Sequence, residues 1–583
     1  MADGGGYRQL QLNIKPGLLI DLFAGGGGAS EGLERAFGHP VHIAINHNPL
    51  ALAVHEVNHP ATKHYISDVY EVCPREATQG LPVAHCHASP DCTHHSQALG
   101  GQPRDAKCRS LTWVVLKWAG RARPDSISIE NVSQLKHWGP LIAKRCPETG
   151  RVVKVDRTVA APGERVPLNQ QYLVPCPKRK GKTWERFCKL LAAHGYNIDH
   201  RVLAACDYGS PTTRERLYVF ARRDNRPIIW PAPTHGSPAS ELVLNGKLLP
   251  WRTAAECIDF DRPCHSIFME TADAKKLRIR RPLSDATLRR IAKSVKRFVL
   301  EAPVPFIVPL RGTSPSHTSS HSTAMPLSTI SAGGTHHGLV IPTLAANDDL
   351  RSAHLIKFRG DSKGAPANRP MPVITSGAGA ARPAGAAHAL GVVQAGLSPA
   401  VVRTAHMEQA NTGVVGHDVR EPVSTLTVSG SQQRLVLTDL EADALNERAS
   451  MVYRFMRDHL SPKDFAAIQG NVEVDPTDSD RGRVFILHEG QKLVLTDCGL
   501  RMLTPPELKL AQGFPPDYVL DYDKDGAKVP QHKQVALIGN SVCPDVLEAI
   551  IRANCADLIN AYQAAGVRVR PTRLSPPCLA EAA

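Results

Sequence analysis

No apolar run in this chain approaches the roughly 20 residues that a membrane-spanning helix needs. The start, Met1-Ala2-Asp3-Gly4, lacks the pattern of a signal peptide. The fourteen cysteines contain no CxxC pair. That scatter disfavours a zinc ribbon and a disulfide framework, both of which need regularly spaced thiols. We therefore expect a cytoplasmic protein with reduced thiols.

Composition and charge define the class of protein further. A content of 42% hydrophobic and 21% charged residues is typical of a soluble globular protein, and 583 residues exceed one ordinary core, so we expect two or three domains. The formal net charge is +14. Such an excess of basic residues favours a polyanionic partner, because each neutralised phosphate releases counterions.

A glycine-rich turn near the N-terminus is the most informative local pattern. The apolar residues 18–22 lead through Asp21 into Gly25-Gly26-Gly27-Gly28, and residues 29–37 then show helical apolar spacing. This order of strand, turn and helix opens a doubly wound α/β domain. Glycines there let the backbone approach a nucleotide-type cofactor, although a plain surface turn is the alternative interpretation.

A cysteine follows the apolar segment 81–84 in the loop Ser89-Pro90-Asp91-Cys92. Nearby histidines and hydroxyls give Cys92 the polar setting in which a thiolate acts as a nucleophile. A buried structural thiol is one alternative. A zinc site is another, although its candidate ligands match no standard finger; they are Cys86, His87, Cys92, His94 and His95.

Further along, an alternating strand at 125–132 ends in Glu130-Asn131-Val132. Taken in order, these segments resemble the DNA cytosine-5 methyltransferase family, which has a DLFAGxGG loop, a Pro-Cys nucleophile loop and a Glu-Asn-Val strand end. Residues 209–217 are similar to its QxRxR segment. The segments 501–507, 512–515 and 534–542 are similar to its last two motifs. The resemblance covers residues 17–222 and 498–555.

The resemblance implies methyl transfer from S-adenosylmethionine to carbon 5 of cytosine in double-stranded DNA. Cys92 would add to carbon 6 of a flipped-out base, and Glu130 would protonate or share a proton with ring nitrogen 3. Asn131 would help to hold the acid loop. Arg214 and Arg216 would contact the base or its phosphates as charge-assisted donors.

The same resemblance places the cofactor across the glycine turn, at the carboxyl ends of the strands. Asp68 would face the adenine amino group. The residues expected to bind the cofactor are Asp21, Phe23, Ala24, Gly25, Gly27, Gly28, Asn46, Asp68, Asn540, Ser541 and Val542. No metal is expected.

Several positions depart from the family pattern, among them Thr93 and His94 directly after Cys92. Asp91 replaces the proline before the nucleophile, Thr212 stands where glutamine is usual, and Asn46 takes the place of the ribose-binding glutamate. A carboxylate beside a thiol opposes thiolate formation unless it points away or is paired. These changes indicate a divergent branch. They leave open an RNA cytosine-5 methyltransferase, a catalytically silent DNA-binding relative, and transfer of another alkyl group.

We therefore predict an α/β fold with a doubly wound, mostly parallel Rossmann-like sheet and a large β-rich inserted domain. The expected domains are a catalytic domain at 17–222, with an insertion at about 137–182, and a target-recognition region at 223–497. Residues 498–565 would complete the catalytic domain, and 566–583 would form a disordered tail. We expect a monomer without a membrane, acting on double-stranded DNA in a bacterial or phage-infected cell, with a possible cognate restriction nuclease.

The recognition region contains an internal repeat. The segments 325–331, 369–375 and 421–427 align on prolines 44 and 52 residues apart, a period compatible with small β units. The repeats would form either a β-rich platform whose loops reach DNA or a structural spacer. Residues 284–300 predict a helix with Ser284 as N-cap, whose basic side chains would lie along phosphates or face solvent.

Overall fold

The computed structural model describes residues 16–91, 95, 105–259, 262–301, 442–488 and 491–565, with strand segments between 306 and 438. The strands up to residue 222 are β1 (Leu18–Leu22), β2 (Ile43–Asn46), β3 (Lys63–Ile66), β4 (Val83–Ala88), β5 (Ser126–Asn131), β6 (Leu141–Ala143), β7 (Leu173–Pro175), β8 (Asn197–Ala204) and β9 (Glu215–Arg222). The helices in this part are α1 (Gly28–Phe37), α2 (Pro49–Asn58), α3 (Pro74–Thr78), α4 (Ala106–Arg109), α5 (Val114–Arg121) and α6 (Lys182–Ala193).

Seven of these strands form one sheet in the order β3-β2-β1-β4-β5-β9-β8. Strands β1 to β5 are parallel, and β9 runs antiparallel to both of its neighbours. Chain order reverses at β1, which has β2 on one side and β4 on the other. The predicted doubly wound, mostly parallel sheet is confirmed. Its ligand crevice is expected at this reversal point.

The remaining elements follow the catalytic strands. The helices are α7 (Glu241–Leu244), α8 (Thr271–Lys276), α9 (Asp285–Val295), α10 (Ala442–His459), α11 (Pro462–Ala466), α12 (Pro505–Ala511), α13 (Gln531–Asn540), α14 (Pro544–Asn554) and α15 (Ala556–Ala564). The strands are β10 (His235–Gly236), β11 (Leu249–Pro250), β12 (His265–Ser266), β13 (Phe306–Pro309), β14 (His321–Ser322), β15 (His337–Leu344), β16 (Leu350–Lys357), β17 (Ala365–Pro366), β18 (Leu390–Pro399), β19 (Thr404–Gln409), β20 (His417–Asp418), β21 (Gln433–Thr438), β22 (Val472–Asp475), β23 (Asp478–His488) and β24 (Gln491–Met502).

The C-terminal helices cover one face of the catalytic sheet. Leu19 of β1 and Phe220 of β9 lie in a buried cluster with Leu547 of α14 and Tyr562 of α15. The other face is buried by a separate cluster that includes Trp118 of α5. Burial of this much apolar surface is the main stabilising term of such a fold. The chain thus completes its catalytic domain with residues more than three hundred positions away from β9.

Within the described strands, ten form a second, mostly antiparallel sheet with the main order β14-β13-β15-β16-β18-β24-β23-β22. Strand β24 runs across residue 497 and leads into α12, so the predicted boundary at 497/498 falls inside a strand. The domain limits stay a prediction. The repeat segments 325–331, 369–375 and 421–427 lie outside the described residues, and both interpretations of them stay open, as does the disordered tail at 566–583.

The predicted helix at 284–300 is present as α9 followed by a π-helical turn at Lys296–Leu300. Ser284 occupies the N-cap, but its hydroxyl lies 3.0 Å from the hydroxyl of Thr287 and makes no cap bond to the backbone. Lys296 pairs with Glu301 at 2.9 Å and with Asp464 at 3.2 Å. Because Lys296 pairs with two carboxylates of this chain, it is a poor candidate for a phosphate contact.

The stretch 531–554 satisfies the length and composition of a membrane span, contrary to the expectation from the sequence. Its most apolar window is 72% buried inside the protein. The structure also divides the stretch into α13 and α14, with an extended residue, Ser541, between them. Both observations describe a core element of the catalytic domain.

A ladder of buried polar side chains joins β4 to β5. His85 lies 2.8 Å from the hydroxyls of both Ser126 and Ser128, and His87 Nδ1 lies 2.8 Å from Ser128. Ser126 donates to the carbonyl of Ala84. Because each serine has one proton, the ladder is satisfied when Ser128 donates to His85 Nε2 and His87 Nδ1 donates to Ser128. Both histidines are therefore neutral.

These buried histidines predict a loss of stability in acid. Burial lowers the pKa of His42 and His64 to about 4 and that of His87 to about 3, and it lowers those of His55 and His85 as well. The unfolded chain takes up protons near pH 6.5, whereas the native chain resists until lower pH. Acidification from pH 6.5 to 4 therefore favours unfolding, by about 3 kcal/mol or more.

Several carboxyls oppose this trend, because burial raises the pKa of Asp21 to about 7 and also raises those of Asp125, Asp207, Asp497 and Asp545. The native protein then keeps a proton that the unfolded chain releases near pH 4, which stabilises the native state on acidification in the same window. We expect the five histidines to outweigh these carboxyls, because among the carboxyls only Asp21 has a pKa far from its ordinary value. Denaturant titrations at several pH values measure the sum. A free energy of unfolding that stays constant or increases from pH 6.5 to 4 would contradict the prediction.

Candidate active site

The turn after β1 has an unusual backbone. Phe23 has φ 63°, a left-handed conformation that is rare outside glycine, and Gly25 and Gly27 have φ 54° and 92°. The hydroxyl of Ser89 lies 3.4 Å from the carbonyl of Phe23, which ties the turn to the loop after β4. Strained backbone of this kind concentrates at functional sites.

The back of the turn is closed by the C-terminal part of the chain. A Cβ added to Gly28 would come within 2.0 Å of Ser541 Oγ and 2.3 Å of the Val542 carbonyl. One added to Gly27 would come within 2.1 Å of Tyr518 Oη, and that hydroxyl donates to the carbonyl of Gly26 at 2.6 Å. Only glycine is compatible with this packing. Gly27, Gly28, Ser541 and Val542 therefore form a buried wall behind the turn.

The front of the turn is open. A Cβ built on Gly25 would meet only the carbonyl of Phe23, at 3.7 Å. Phe23 is half-buried, Asp68 is partly exposed, and Ile66 at the end of β3 is 58% exposed. An exposed isoleucine and a partly exposed phenylalanine at the carboxyl edge of a sheet offer an apolar surface for a planar ring. Ile66 was missed from the sequence; its position at the end of β3 was the available signal.

Asp21 supports the turn from beneath. Its side chain is fully buried and accepts a hydrogen bond from Ser30 Oγ at 2.8 Å. His55 Nε2 lies 2.9 Å from Ser30, and His55 Nδ1 lies 2.8 Å from His64 Nε2. Because Ser30 gives its proton to Asp21, His55 donates to Ser30 and His64 donates to His55. The side chain of Asp21 has no exposed surface at which a cofactor contact could be seen. A contact between Asp21 and the cofactor therefore stays a prediction.

Two polar residues lie at the carboxyl ends of neighbouring strands. Asn46, at the end of β2, is 9% exposed, and its Oδ1 accepts from the backbone N–H of Asn48 at 2.9 Å. Asp68, after β3, accepts from the N–H of Tyr70 at 3.0 Å. Both side chains are thereby oriented at the predicted ribose and adenine edge. Asn540 is exposed at the end of α13, while Ala24 is buried against Ala44 and Leu52.

The predicted acid lies in a basic, buried environment. Glu130 is 6% exposed, and its Oε1 lies 3.2 Å from Arg216 Nε and 3.5 Å from Arg214 Nη2. Arg214, which is 3% exposed, also donates to the carbonyl of Gly539 at 2.9 Å. The structure thus brings three predicted catalytic residues together and connects them to α13. A carboxylate with two cationic donors is held in one orientation.

Asn131 joins the acid to the nucleophile loop. Its Nδ2 donates to the carbonyl of Pro90 at 2.9 Å, and its Oδ1 accepts from the N–H of Val132 at 3.0 Å. Asn131 is 1% exposed. It therefore holds the start of the loop that carries Cys92, in addition to the end of β5. Cys92 and His94 lie outside the described residues, and the neighbouring Asp91 is exposed.

Replacing Asn131 by alanine is expected to slow methyl transfer by about 10²-fold, because a misplaced nucleophile loses the reacting geometry. Cofactor affinity should change little, since the hydrogen bonds of Asn131 go to Pro90 and Val132 and not to the glycine turn itself. Single-turnover methylation and equilibrium cofactor binding measure the two quantities. Asn169→Ala, at an exposed asparagine, is the control. Equal losses in rate and in cofactor affinity would indicate general damage to the fold and contradict this role.

The alternative zinc site is not supported for two of its five candidates. Successive residues of a strand point to opposite faces. Cys86 accordingly lies in the cluster with Ile20 and Ile127, whereas His87 contacts Ser128 on the other face. Across the part of the chain that the structure describes, no group of three or more His, Cys, Asp or Glu side chains could hold a metal ion.

Sequence reasoning also missed residues that are distant in the chain. Tyr518 reaches Gly26, and Gln512 Nε2 donates to the carbonyl of Ser541 at 2.9 Å. Ser210 donates to Asp545, which also pairs with Arg35 at 2.8 Å. Gln512 belongs to a recognised motif, but its partner could not be inferred from spacing. Thr212, where glutamine was expected, is fully buried.

Together, the sheet order, the strained glycine turn and the carboxylate between two arginines are the arrangement expected of a Rossmann-like methyltransferase that uses S-adenosylmethionine. The model of the family described as "C-5 cytosine-specific DNA methylase" matches residues 18–139, 176–247 and 442–555. The chain belongs to this family. The matched ranges cover just over half of the chain and leave out most of the insertion and residues 248–441.

Two curated relatives are similar over the catalytic part. Type II methyltransferase M.AgeI of Thalassovita gelatinovora is 28% identical over 233 residues, which are 39% of this chain and 44% of that protein. Type II methyltransferase M.AquIA of a Picosynechococcus strain is 25% identical over 248 residues, 41% of this chain and 87% of that protein. The chain thus spans less than half the length of the first relative.

Solved structures with overall similarity include the S. pombe Dnmt2 methyltransferase, with a TM-score of 0.38 and 12% identity. Its match covers 92% of this chain and 97% of that chain. A putative DNA modification methyltransferase encoded within an E. coli prophage gives a TM-score of 0.33 and 14% identity, covering 93% and 99%. The fold assignment rests on the sheet itself.

The exposed side of the turn is compatible with the cofactor of this family. S-adenosylmethionine carries a planar adenine and a ribose, and the open front contains Phe23, Ile66, Asn46 and Asp68 at the carboxyl ends of β1 to β3. Space is left above Gly25. These residues supply an apolar surface and two polar groups at one edge, the arrangement that a nucleoside requires.

Proposed function

We propose that this chain methylates carbon 5 of cytosine in double-stranded DNA. The observation that supports this most directly is the hydrogen bond from Asn131 to Pro90. It couples the strand that ends in Glu130 to the loop that carries Cys92. A proton donor and a nucleophile on adjacent strand ends, beside a glycine turn, are the groups that this reaction requires.

In the proposed reaction the Cys92 thiolate adds to carbon 6 of the base, forming an Sγ–C6 bond. Glu130 delivers a proton to ring nitrogen 3, so that the negative charge of addition does not build up on the ring. S-adenosylmethionine supplies the methyl group to carbon 5. Loss of the proton from carbon 5 to a base then expels the Cys92 thiolate, and the proton on ring nitrogen 3 returns to Glu130, which restores the neutral aromatic ring.

The arginines have two tasks in this proposal. Arg216 and Arg214 hold the Glu130 carboxyl, and we assign both arginines to contacts with the extruded base or its flanking phosphates. Asn131 holds the nucleophile loop. Cofactor contacts are assigned to the front and wall of the turn: Asp21, Phe23, Ala24, Gly25, Gly27, Gly28, Asn46, Asp68, Asn540, Ser541 and Val542.

We also infer the oligomeric state, the location and the partners of the protein. A monomer is sufficient for the reaction, and the site-bearing elements come from one chain. Action in the cytoplasm of a bacterium or of a phage-infected cell is compatible with a DNA substrate. A cognate restriction nuclease is compatible with the names of the Type II relatives. The β-rich region at 223–497 is assigned to sequence recognition.

Expression in a methylation-deficient bacterium tests the reaction. We expect 5-methylcytosine in one short sequence context, read by mass spectrometry of nucleosides and by sequencing that maps modified cytosines. If cytosine gains a mass other than that of a methyl group, the proposal changes to transfer of another alkyl group. Unmodified DNA from well-folded protein, with methylated RNA in the same cells, would overturn the DNA substrate. Neither modified DNA nor modified RNA would favour a silent DNA-binding relative.

A further inference from the structure

The insertion at 137–182 is a folded β unit that the family model largely passes over. Strands β6 and β7 pair antiparallel, from Leu141 opposite Pro175 to Ala143 opposite Leu173. Isolated bridges extend the pairing between them, including the one that joins Lys154 to Gln171. Residues 140–175 therefore form an ordered projection of this chain rather than an irregular loop.

This projection concentrates positive charge. Residues 137–182 contain ten Lys or Arg and three Asp or Glu, a net of +7, which is half of the +14 of the whole chain in 46 residues. Two basic side chains are paired locally, because Lys154 pairs with Glu164 at 2.5 Å and Lys182 pairs with Glu185 at 3.0 Å. The exposed cations are Lys144, Arg145, Arg157, Arg165, Lys178, Arg179, Lys180 and Lys182.

The base of the projection packs on residues that flank the nucleophile loop. Trp138, 4% exposed, makes an edge contact with His95 at a ring separation of 5.7 Å. Arg109 donates to the carbonyl of Gly139 at 3.4 Å. His95 and Arg109 lie on either side of the undescribed segment 96–104. The base of the projection therefore packs against residues that border this segment.

The turn 177–180 is held against this base. A Cβ on Gly139 would come within 2.3 Å of the Arg179 carbonyl, and Cys176 donates to the carbonyl of Pro140 at 3.0 Å. Lys180 and Lys136 both lie close enough to His137 to lower its pKa, after the larger effect of burial. The turn that carries Lys178, Arg179 and Lys180 is thus held against Gly139 and Pro140, next to the Trp138 ring that contacts His95.

We propose that residues 137–182 bind the phosphate backbone of the DNA duplex next to the flipped base, with Lys178 and Lys180 as direct contacts. This inference rests on the proposed DNA substrate. A base that reaches Cys92 leaves its flanking phosphates at the rim of the site, where lysines contribute affinity without reading sequence. The projection then acts as a clamp that is independent of the recognition region.

The test compares two double variants with the wild-type chain. Lys178→Gln/Lys180→Gln removes the proposed contacts, and Arg121→Gln/Arg123→Gln removes two exposed charges near the amino end of β5, at the opposite edge of the sheet. Affinity for a mixed-sequence DNA duplex is measured at several salt concentrations. For the lysine variant we expect the slope of log affinity against log salt to decrease in magnitude by about 2 units. The arginine variant should keep the wild-type slope.

Kinetics separate the clamp from the catalytic machinery. The lysine variant should raise the KM for DNA, leave kcat within a factor of about two and keep the sequence context of methylation, because phosphate contacts carry no sequence information. Unchanged slope and KM would overturn the clamp, as would equal losses in both variants, or a loss seen with an RNA hairpin but not with DNA. A wild-type chain that methylates no DNA would instead overturn the proposed function.

Discussion

Replacing Cys92 by serine is expected to abolish methyl transfer, with a loss of at least about 10³-fold, and to abolish the covalent adduct with a 5-fluorocytosine duplex. A hydroxyl is scarcely ionised at neutral pH, whereas a thiol provides a useful fraction of thiolate. Fluorine at carbon 5 replaces the hydrogen that must be lost as a proton before the thiolate can leave. The wild-type enzyme should therefore stay attached to the DNA. Denaturing electrophoresis and mass spectrometry of the adduct measure this directly.

The control is Cys73→Ser, which changes a half-buried thiol at the start of α3. This variant should form the adduct as the wild type does. Binding of unmodified duplex should also be retained in Cys92→Ser, because the phosphate contacts do not involve the thiol. An adduct that persists in Cys92→Ser would contradict the assignment and direct attention to another cysteine.

Replacing Glu130 by glutamine is expected to lower the methylation rate by about 10²- to 10⁴-fold, the usual contribution of a positioned general acid. Glutamine keeps an oxygen for Arg216 and Arg214 but cannot supply a proton to ring nitrogen 3. Single-turnover rates across pH measure the effect, and the adduct with 5-fluorocytosine should form correspondingly slowly. Cofactor binding should remain near the wild-type value.

Glu215→Gln is the matched control for this variant. In the sequence, the exposed Glu215 lies between Arg214 and Arg216. Because successive residues of a strand point to opposite faces, its side chain points away from the face of the two arginines. Its replacement should leave the rate unchanged. Because Glu130→Gln leaves Arg214 buried beside a neutral group, some stability is lost as well, and rates are compared at a temperature where both variants are folded. Equal rates in Glu130→Gln and the wild type would contradict its role as the acid.

The sequence was most informative where structure is local. The turn after β1 and the end of β5 are each encoded by a few adjacent residues, so their strand, turn and helix order could be predicted. The helix at 29–37 was predicted from apolar spacing and the helix at 284–300 with Ser284 as its N-cap, and they are present as α1 and α9. Such short segments fix their own secondary structure through periodicity and glycine content.

Contacts between distant segments could not be predicted in the same way. The bonds from Tyr518 to Gly26, from Ser210 to Asp545 and from Arg214 to Gly539 join residues hundreds of positions apart. Their partners are chosen by the packing of the finished core, which a single sequence does not display. The inward direction of Asp21 is another case, because a strand-end carboxylate can serve a ligand or a neighbouring helix equally well.

The wall behind the glycine turn also sets an order of events during synthesis. Tyr518 and Gly26 are 492 positions apart, so the first strand and its turn leave the ribosome long before Tyr518, Ser541 and α14 exist. Until then the face of β1 that α14 covers is exposed to solvent and open to wrong partners. A growing or truncated chain lacks the finished pocket. The wall behind the glycine turn therefore closes only after the C-terminal helices have been made.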